Sequence, residues 1–141
     1  MRLLFLDFDG VLHPSDPEST GLRHFCWLPV LAQLLEQHSD VRIVVHSTWR
    51  YDHTDNELRT LLGPLGPRFV GSAPRAPREQ AIEMVLGANK GKVVSHMVLD
   101  DAVKEFSGGT VNLLLVEAHL GLSDVRVQAA LSTWLAEGVS D

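Results

Sequence analysis

Hydrophobic positions along this chain fall into two alternating textures. Residues 2–8 (RLLFLDF) are almost continuously apolar and stop at Asp9-Gly10, the pattern of a strand buried on both faces. Residues 41–46 (VRIVVH), 93–99 (VVSHMVL) and 111–116 (VNLLLV) repeat that texture, and 68–71 (RFVG) is a weaker fifth candidate. Between them, apolar residues recur at helical spacing at Leu28, Leu31, Leu34 and Leu35, at Leu58, Leu61 and Leu62, and at Ile82, Val85 and Leu86. A last helix runs through Val125, Val127, Ala130, Leu131, Trp134 and Leu135, with Ser123 as expected N-cap and Gly138 near its end. Strand and helix therefore alternate, which predicts right-handed βαβ units and a parallel sheet covered by helices on both faces. In such sheets ligands bind just outside the carboxyl ends of the strands.

Two stretches break the alternation. Residues 10–26 (GVLHPSDPESTGLRHFC) read as a loop or short hairpin, and residues 63–79, with Pro64, Pro67, Pro74 and Pro77, form a second punctuated region. Neither is an interdomain linker, and no repeat or low-complexity tract is present, so the expectation is one α/β domain over 1–141.

Composition narrows the function classes. At 45% apolar and 21% charged, the 141-residue chain has the make-up of an ordinary globular protein. A formal charge of −6 repels phosphate backbones, so no extensive nucleic-acid footprint is expected, although a local basic pocket is compatible with it. Cys26 is the lone cysteine, which excludes an intramolecular disulfide and makes a reducing, cytoplasmic setting the default expectation. The apolar run Leu3–Leu6 is cut off by Asp7 and Asp9, too short for a signal-peptide core or a membrane span, so no membrane partner is expected.

The candidate chemistry is positional. Asp7 and Asp9 end the first strand, Ser47 follows the second, and Asp100-Asp101 end the strand that begins near Val94. If the first and fourth strands are neighbours, about 4.8 Å apart, these carboxylates meet in one cleft. At roughly 4 Å and an effective dielectric near 20, each like-charge pair repels by about 4 kcal/mol. A hard divalent cation relieves that repulsion most simply, since carboxylate oxygens suit Mg²⁺; strongly raised carboxyl pKa values are the other way out. A carboxylate beside such an ion can attack phosphorus, and a second one two residues later can move a proton. Phosphoryl transfer also needs hydrogen-bond donors and a fixed positive charge; Ser47 offers the former, and Arg75, Arg78, Lys90 and Lys92 are candidates for the latter.

These motifs resemble a known family. Asp7-Phe8-Asp9-Gly10-Val11-Leu12 looks like the first motif of the haloacid dehalogenase (HAD) superfamily of phosphohydrolases, His46-Ser47-Thr48-Trp49-Arg50 like the second, and Leu99-Asp100-Asp101 like the fourth. The resemblance implies a three-layer Rossmann-like sheet of strand order 5-4-1-2-3. It further implies Asp7 as nucleophile, Asp9 as general acid/base, Ser47 as phosphate ligand and Mg²⁺ as cofactor, with Asp7, Asp9, Asp100 and Asp101 as the metal set. Of the last pair, Asp101 is favoured as the direct ligand. Gly10, Thr48, Arg50 and Arg75 are the expected substrate contacts, with pairing to a surface acid as the equal alternative for Arg50. The third motif is usually a lysine or sometimes an arginine; here Gly71-Ser72-Ala73-Pro74-Arg75-Ala76-Pro77-Arg78-Glu79 resembles that region of small HAD domains related to those in RNA-repair proteins, which assigns the role to Arg78 ahead of Arg75.

The intervals between the motifs, about 37 and about 30 residues, are largely filled by predicted core elements, so the chain resembles a member without a cap domain. An open cleft suits a phosphate on a nucleic-acid end, a nucleotide or a protein side chain, unless a second subunit of a homo-oligomer closes it. Two other classes stay open: a receiver-like phosphoacceptor and a catalytically silent HAD-fold binding protein. His13 and His46 lie beside the motifs, where they can reach a substrate, and the other histidines read as loop or core residues. Trp49 follows Ser47 closely enough to line the cleft, whereas Trp27 and Trp134 read as core anchors.

Overall fold

A computed structural model describes residues 1–109 and 111–137. Its five strands, β1 (Arg2–Leu6), β2 (Val41–Val45), β3 (Phe69–Ser72), β4 (Ser95–Asp100) and β5 (Leu113–Leu115), pair in parallel in the order β3-β2-β1-β4-β5. This is the expected order read from the other edge. β1 is buried along its whole length because it is the central strand, with helices above and below.

Period-two alternation divides the strand side chains between two cores. Leu4, Leu6, Ile43, Val45 and Leu99 face the larger one, closed by α2 (Leu28–Leu35), α3 (Asp55–Leu61) and α5 (Val125–Glu137). Leu3, Phe5, Val44 and Val98 face the smaller, closed by Ala81 and Ile82 of α4 (Arg78–Ala88). Thr54 starts α3 with a reciprocal capping box: its hydroxyl accepts from the Glu57 N–H at 3.2 Å, and the Glu57 carboxylate accepts from the Thr54 N–H at 2.8 Å. Arg2, 1% exposed, fastens β1 to the end of α5 by donating to the Trp134 and Leu135 carbonyls while its other donors grip Asp40.

Several boundaries differ from the sequence reading. The first strand ends at Leu6 instead of residue 8, because the Phe8 N–H turns to the Asp7 carboxylate and the Phe8 carbonyl accepts from Val11 and Leu12. Within 10–26 a short helix, α1 (Pro17–Thr20), forms, and Asp9 bridges to His13. Ser123 does not cap the last helix: it lies in a 3₁₀ turn and donates to the Leu120 carbonyl, and it is the Asp124 carboxylate that accepts the Arg126 N–H at 2.9 Å. An aspartate reaches the second amide of the helix as well as a serine does, so composition alone does not separate the two. Gly138 lies outside the described residues.

The register aligns the carboxyl ends. Leu6 sits opposite Val45 on one side and Leu99 on the other, so Asp7, His46 and Asp100 emerge together as the next residue of each strand. Among the described residues, no helix is long and apolar enough to cross a membrane.

Candidate active site

Asp7 is the first residue past β1 and 1% exposed. Its Oδ1 accepts from the Phe8 N–H at 2.9 Å and its Oδ2 from Arg78 Nη1 at 3.0 Å. Asp100, the last residue of β4, is fully buried and accepts from three donors: His46 Nε2 at 2.7 Å, Arg78 Nη1 at 2.8 Å and 2.9 Å on its two oxygens, and the Ala102 N–H at 2.8 Å. Carboxylate oxygens of Asp7, Asp100 and Asp101 all lie within 4.8 Å of one another. Asp7 and Asp100, from two adjacent strands, thus share one guanidinium, and Arg78 supplies part of the compensation that the sequence reading divided between a metal and raised carboxyl pKa values.

The acids respond differently to this crowding. Burial, then the charge of Asp100, pushes the Asp7 carboxyl well above its usual value, against the pull of Arg78. Burial and Asp100 likewise raise Asp101. Burial also works against ionised Asp100, but His46, Arg78 and the Ala102 amide outweigh it and hold its carboxyl low. Asp100 therefore carries the fixed negative charge of the cluster. His46 is sealed from solvent, and burial lowers its pKa, so its neutral ring donates Nε2–H to Asp100. It is a buried support of Asp100, not a group that can touch a substrate. Its position directly before Ser47 at the end of β2 was the available signal.

Asp9 stands apart from the three clustered acids, with its side chain 45% exposed. It is held by two N–H donors, His13 Nε2 at 2.8 Å on Oδ1 and Trp49 Nε1 at 3.1 Å on Oδ2. His13 is fully buried, which removes it from substrate contact and gives it the job of holding Asp9. Asp9, Thr48, Trp49, Asp52 and His53 line a cleft beside the cluster.

Ser47 is fully buried and starts the 3₁₀ turn Thr48–Tyr51, its Oγ accepting from the Trp49 N–H at 3.2 Å. Arg50 has a different task from the expected phosphate contact. All five of its N–H groups have protein acceptors: the Ala73, Pro74 and Ala76 carbonyls of the segment after β3, the His46 and Ser47 carbonyls, and the Tyr51 hydroxyl. It is a clamp that holds the second and third motifs in register. Arg50→Lys, which can replace at most three of these bonds, should lower stability by about 2 kcal/mol in urea unfolding, where loss of a phosphate ligand would leave stability unchanged.

Arg75 is exposed, donates to the Tyr51 carbonyl at 3.1 Å and stacks over the Tyr51 ring, so it braces this clamp while Arg78 enters the acid cluster. Lys92 lies at the opposite end of the sheet, where its carbonyl receives the N-terminal ammonium, and Lys90 is exposed nearby in sequence. Of the basic candidates, Arg78 is the one brought to the carboxylates. It gets there because it opens α4 directly after Pro77, in the crossover from β3 to β4.

Gly10 makes the close approach possible. It has φ +79°, and a β-carbon there would lie 2.3 Å from Asp101 Oδ2. Gly10→Ala should therefore displace Asp101, cost about 2 kcal/mol of stability and weaken divalent-cation binding, both readable by thermal unfolding with and without Mg²⁺.

The donor set fits a hard divalent cation. It is all oxygen, and three acids against one guanidinium leave negative charge uncompensated, which the raised carboxyls of Asp7 and Asp101 express. Asp100 is already engaged by three donors, His46 Nε2, Arg78 Nη1 and the Ala102 N–H, whereas Asp101 is half-buried and less encumbered.

The sequence pattern of a family described as HAD domain in Swiss Army Knife RNA repair proteins matches residues 3–127, which span every element of this site. No curated protein and no solved structure matches the chain. With the parallel β3-β2-β1-β4-β5 sheet and the acid cluster at its carboxyl edge, that match places the chain in the HAD superfamily, as an RNA-repair-type HAD domain.

Proposed function

We propose that this protein is a magnesium-dependent phosphomonoester hydrolase working through an aspartyl-phosphate on Asp7. The observation that carries the reading is the meeting of Asp7, Asp100 and Asp101 around Arg78 at the carboxyl edge of the sheet. HAD domains are in general phosphatase-type hydrolases, which agrees with it.

In this reading an Asp7 carboxylate oxygen attacks phosphorus, the bond to the leaving oxygen breaks, and Asp9 gives that oxygen its proton. Water then attacks the phosphoryl group, Asp9 takes the water proton, and phosphate leaves with the Asp7 carboxylate restored. Arg78, already 3.0 Å from Asp7, neutralises charge on the transferring phosphoryl group. The Ser47 hydroxyl and the Thr48 N–H would donate to the non-bridging oxygens, the Trp49 and Arg50 amides being engaged by Ser47 itself. Asp7 and Asp101 would hold Mg²⁺, with Asp100 fixing Arg78 and the approach of Asp101. The ion would supply charge neutralisation and orientation of the phosphate.

The segment between β1 and β2 holds two helices, α1 and α2, one of them a single turn, and the segment between β2 and β3 holds one helix and 3₁₀ turns. Among the described residues nothing is inserted there as a separate cap. This favours an accessible phosphate, on a nucleotide or a nucleic-acid end, and the family's link to RNA repair points the same way. The net charge of −6 argues for contact with the terminal phosphate over a long footprint along the strand.

The test is turnover of p-nitrophenyl phosphate, nucleotides and 3′- or 5′-phosphorylated oligonucleotides with Mg²⁺. The expected result is phosphate release that EDTA abolishes. Absence of both turnover and calorimetric Mg²⁺ binding overturns the reading and leaves a silent scaffold.

A further inference from the structure

Asp9 presents a problem that Asp7 and Asp100 do not. Its side chain is 45% exposed on the loop leaving β1, so burial does not fix its rotamer. Its orientation is instead set by a chain of hydrogen bonds that starts 16 residues further along the sequence. The Phe25 N–H donates to His13 Nδ1 at 3.0 Å, and His13 Nε2 lies 2.8 Å from Asp9 Oδ1. An amide can only donate, so Nδ1 must be the bare nitrogen and Nε2 must carry the proton, which points it at Asp9 as a donor.

The fold is strained to keep that arrangement. Phe25 has φ +61°, the left-handed region that a non-glycine residue rarely adopts, and it is the sole non-glycine residue with positive φ among the described ones. Its ring is locked edge-on against Phe8 at 5.2 Å, His13 at 5.2 Å and Trp49 at 5.3 Å. Two loop bonds fix the other end of the chain: Gly10 N–H to the His13 carbonyl at 2.8 Å, and Trp27 N–H to the Leu12 carbonyl at 2.9 Å. The indole of Trp49 then holds the second oxygen of Asp9 from the opposite wall.

We propose that His13, oriented by the Phe25 amide, is a positioning residue that together with Trp49 aims the Asp9 carboxyl at the leaving-group oxygen. The proposal rests on the reading of Asp9 as the proton donor and acceptor of the reaction. Two of the roughly four acceptor sites of a carboxylate are taken by these donors, which leaves the others for the travelling proton. The bond that breaks is the one between phosphorus and the leaving oxygen, and the proton this oxygen gains is the one on Asp9. Neither His13 nor Trp49 loses a proton.

The test separates positioning from simple structural support. In the full-length wild-type chain, long-range ¹H–¹⁵N spectra of the imidazoles should show His13 neutral, protonated on Nε2 and bare on Nδ1; a proton on Nδ1 overturns the proposal. In kinetics, a poor leaving group needs the proton and an activated one does not. His13→Leu should therefore lose about 100-fold or more in kcat on phenyl phosphate and less than about tenfold on p-nitrophenyl phosphate, with KM little changed. His13→Gln, which keeps a donor and an acceptor, should recover most of the loss. Trp49→Phe, which keeps the ring and deletes the donor, should show the same leaving-group signature and serves if His13→Leu does not fold. Equal losses on the two esters overturn the proposal. Should the wild type hydrolyse neither ester, the same leaving-group comparison is made on the nucleotide or oligonucleotide it does hydrolyse; if it hydrolyses none and binds no Mg²⁺ the phosphatase reading fails, while the imidazole spectrum still decides whether His13 is held as argued.

Discussion

Asp7→Asn should abolish Mg²⁺-dependent phosphate release, by about 1,000-fold or more in kcat, and at the same time raise the melting temperature of the metal-free protein. The two effects share one cause. Burial, reinforced by Asp100, raises the Asp7 carboxyl well above its ordinary value near 3.8. Between that value and the raised one, the folded state binds more protons than the unfolded state, so Asp7 makes stability fall as pH rises through this window. Above the raised value the full penalty is present. An amide carries no charge, and its single oxygen still accepts from Arg78 at the cost of the bond from the Phe8 N–H, so the charge penalty disappears and the gap over wild type should widen from pH 4 upward. A gain of about 1 kcal/mol would appear as roughly 4 °C by calorimetry. Mg²⁺ should reverse the ranking by stabilising wild type more than Asp7→Asn. Loss of activity with a lower metal-free melting temperature would contradict the account of the site as strained by its own charge.

Arg78→Ala should be the most destabilising single change at the site. It leaves Asp7, Asp100 and Asp101 within 4.8 Å with no guanidinium among them. Removing one partner from a buried ion pair costs about 3–5 kcal/mol. The pH dependence has a definite sign. Asp100 is held low by His46 and Arg78, and such a group stabilises the fold above its ordinary value and loses that contribution on acidification. Without Arg78 the three acids all shift upward, so the variant's stability should fall as pH rises. Urea midpoints should therefore approach those of wild type near pH 5 and diverge by pH 8, and Mg²⁺ should narrow the gap. Turnover should drop by about 100-fold or more through the lost phosphoryl compensation. Arg78→Lys should recover most of the stability, because one nitrogen, Nη1, makes the contacts to both Asp7 and Asp100 and a single ammonium can take its place.

How far the sequence carried this picture depended on whether a signal was local. Asp7 and Asp100 were legible because each directly follows a run of apolar residues, and Ser47 because it comes one residue later at the end of β2; the end of a buried strand is where a chain can first present a polar group. Arg78 was harder, since two arginines three residues apart in a proline-rich segment look alike until the start of α4 turns one inward and Tyr51 captures the other. Arg50 misled because its charge suggests an anion, whereas the carbonyls it satisfies come from a segment more than 20 residues away. His13 and His46 were marked only by lying beside the motifs, which does not say what they touch; their partners are set by loop closure and by strand neighbours.

The sequence by itself determined the alternation of strand and helix, the parallel sheet, and which polar residues end the strands, because burial dictates residue type over the few neighbouring positions of one element. Tertiary structure decided which of those groups share a charge. Registering Leu6 against Leu99 and Val45 brings Asp7, Asp100 and His46 to one edge. The β3-to-β4 crossover delivers Arg78 to them, and loop packing turns His13 and Trp49 onto Asp9. Electrostatic pairing acts over a few ångströms of space whatever the separation along the chain, so no pattern within a single element could have specified it.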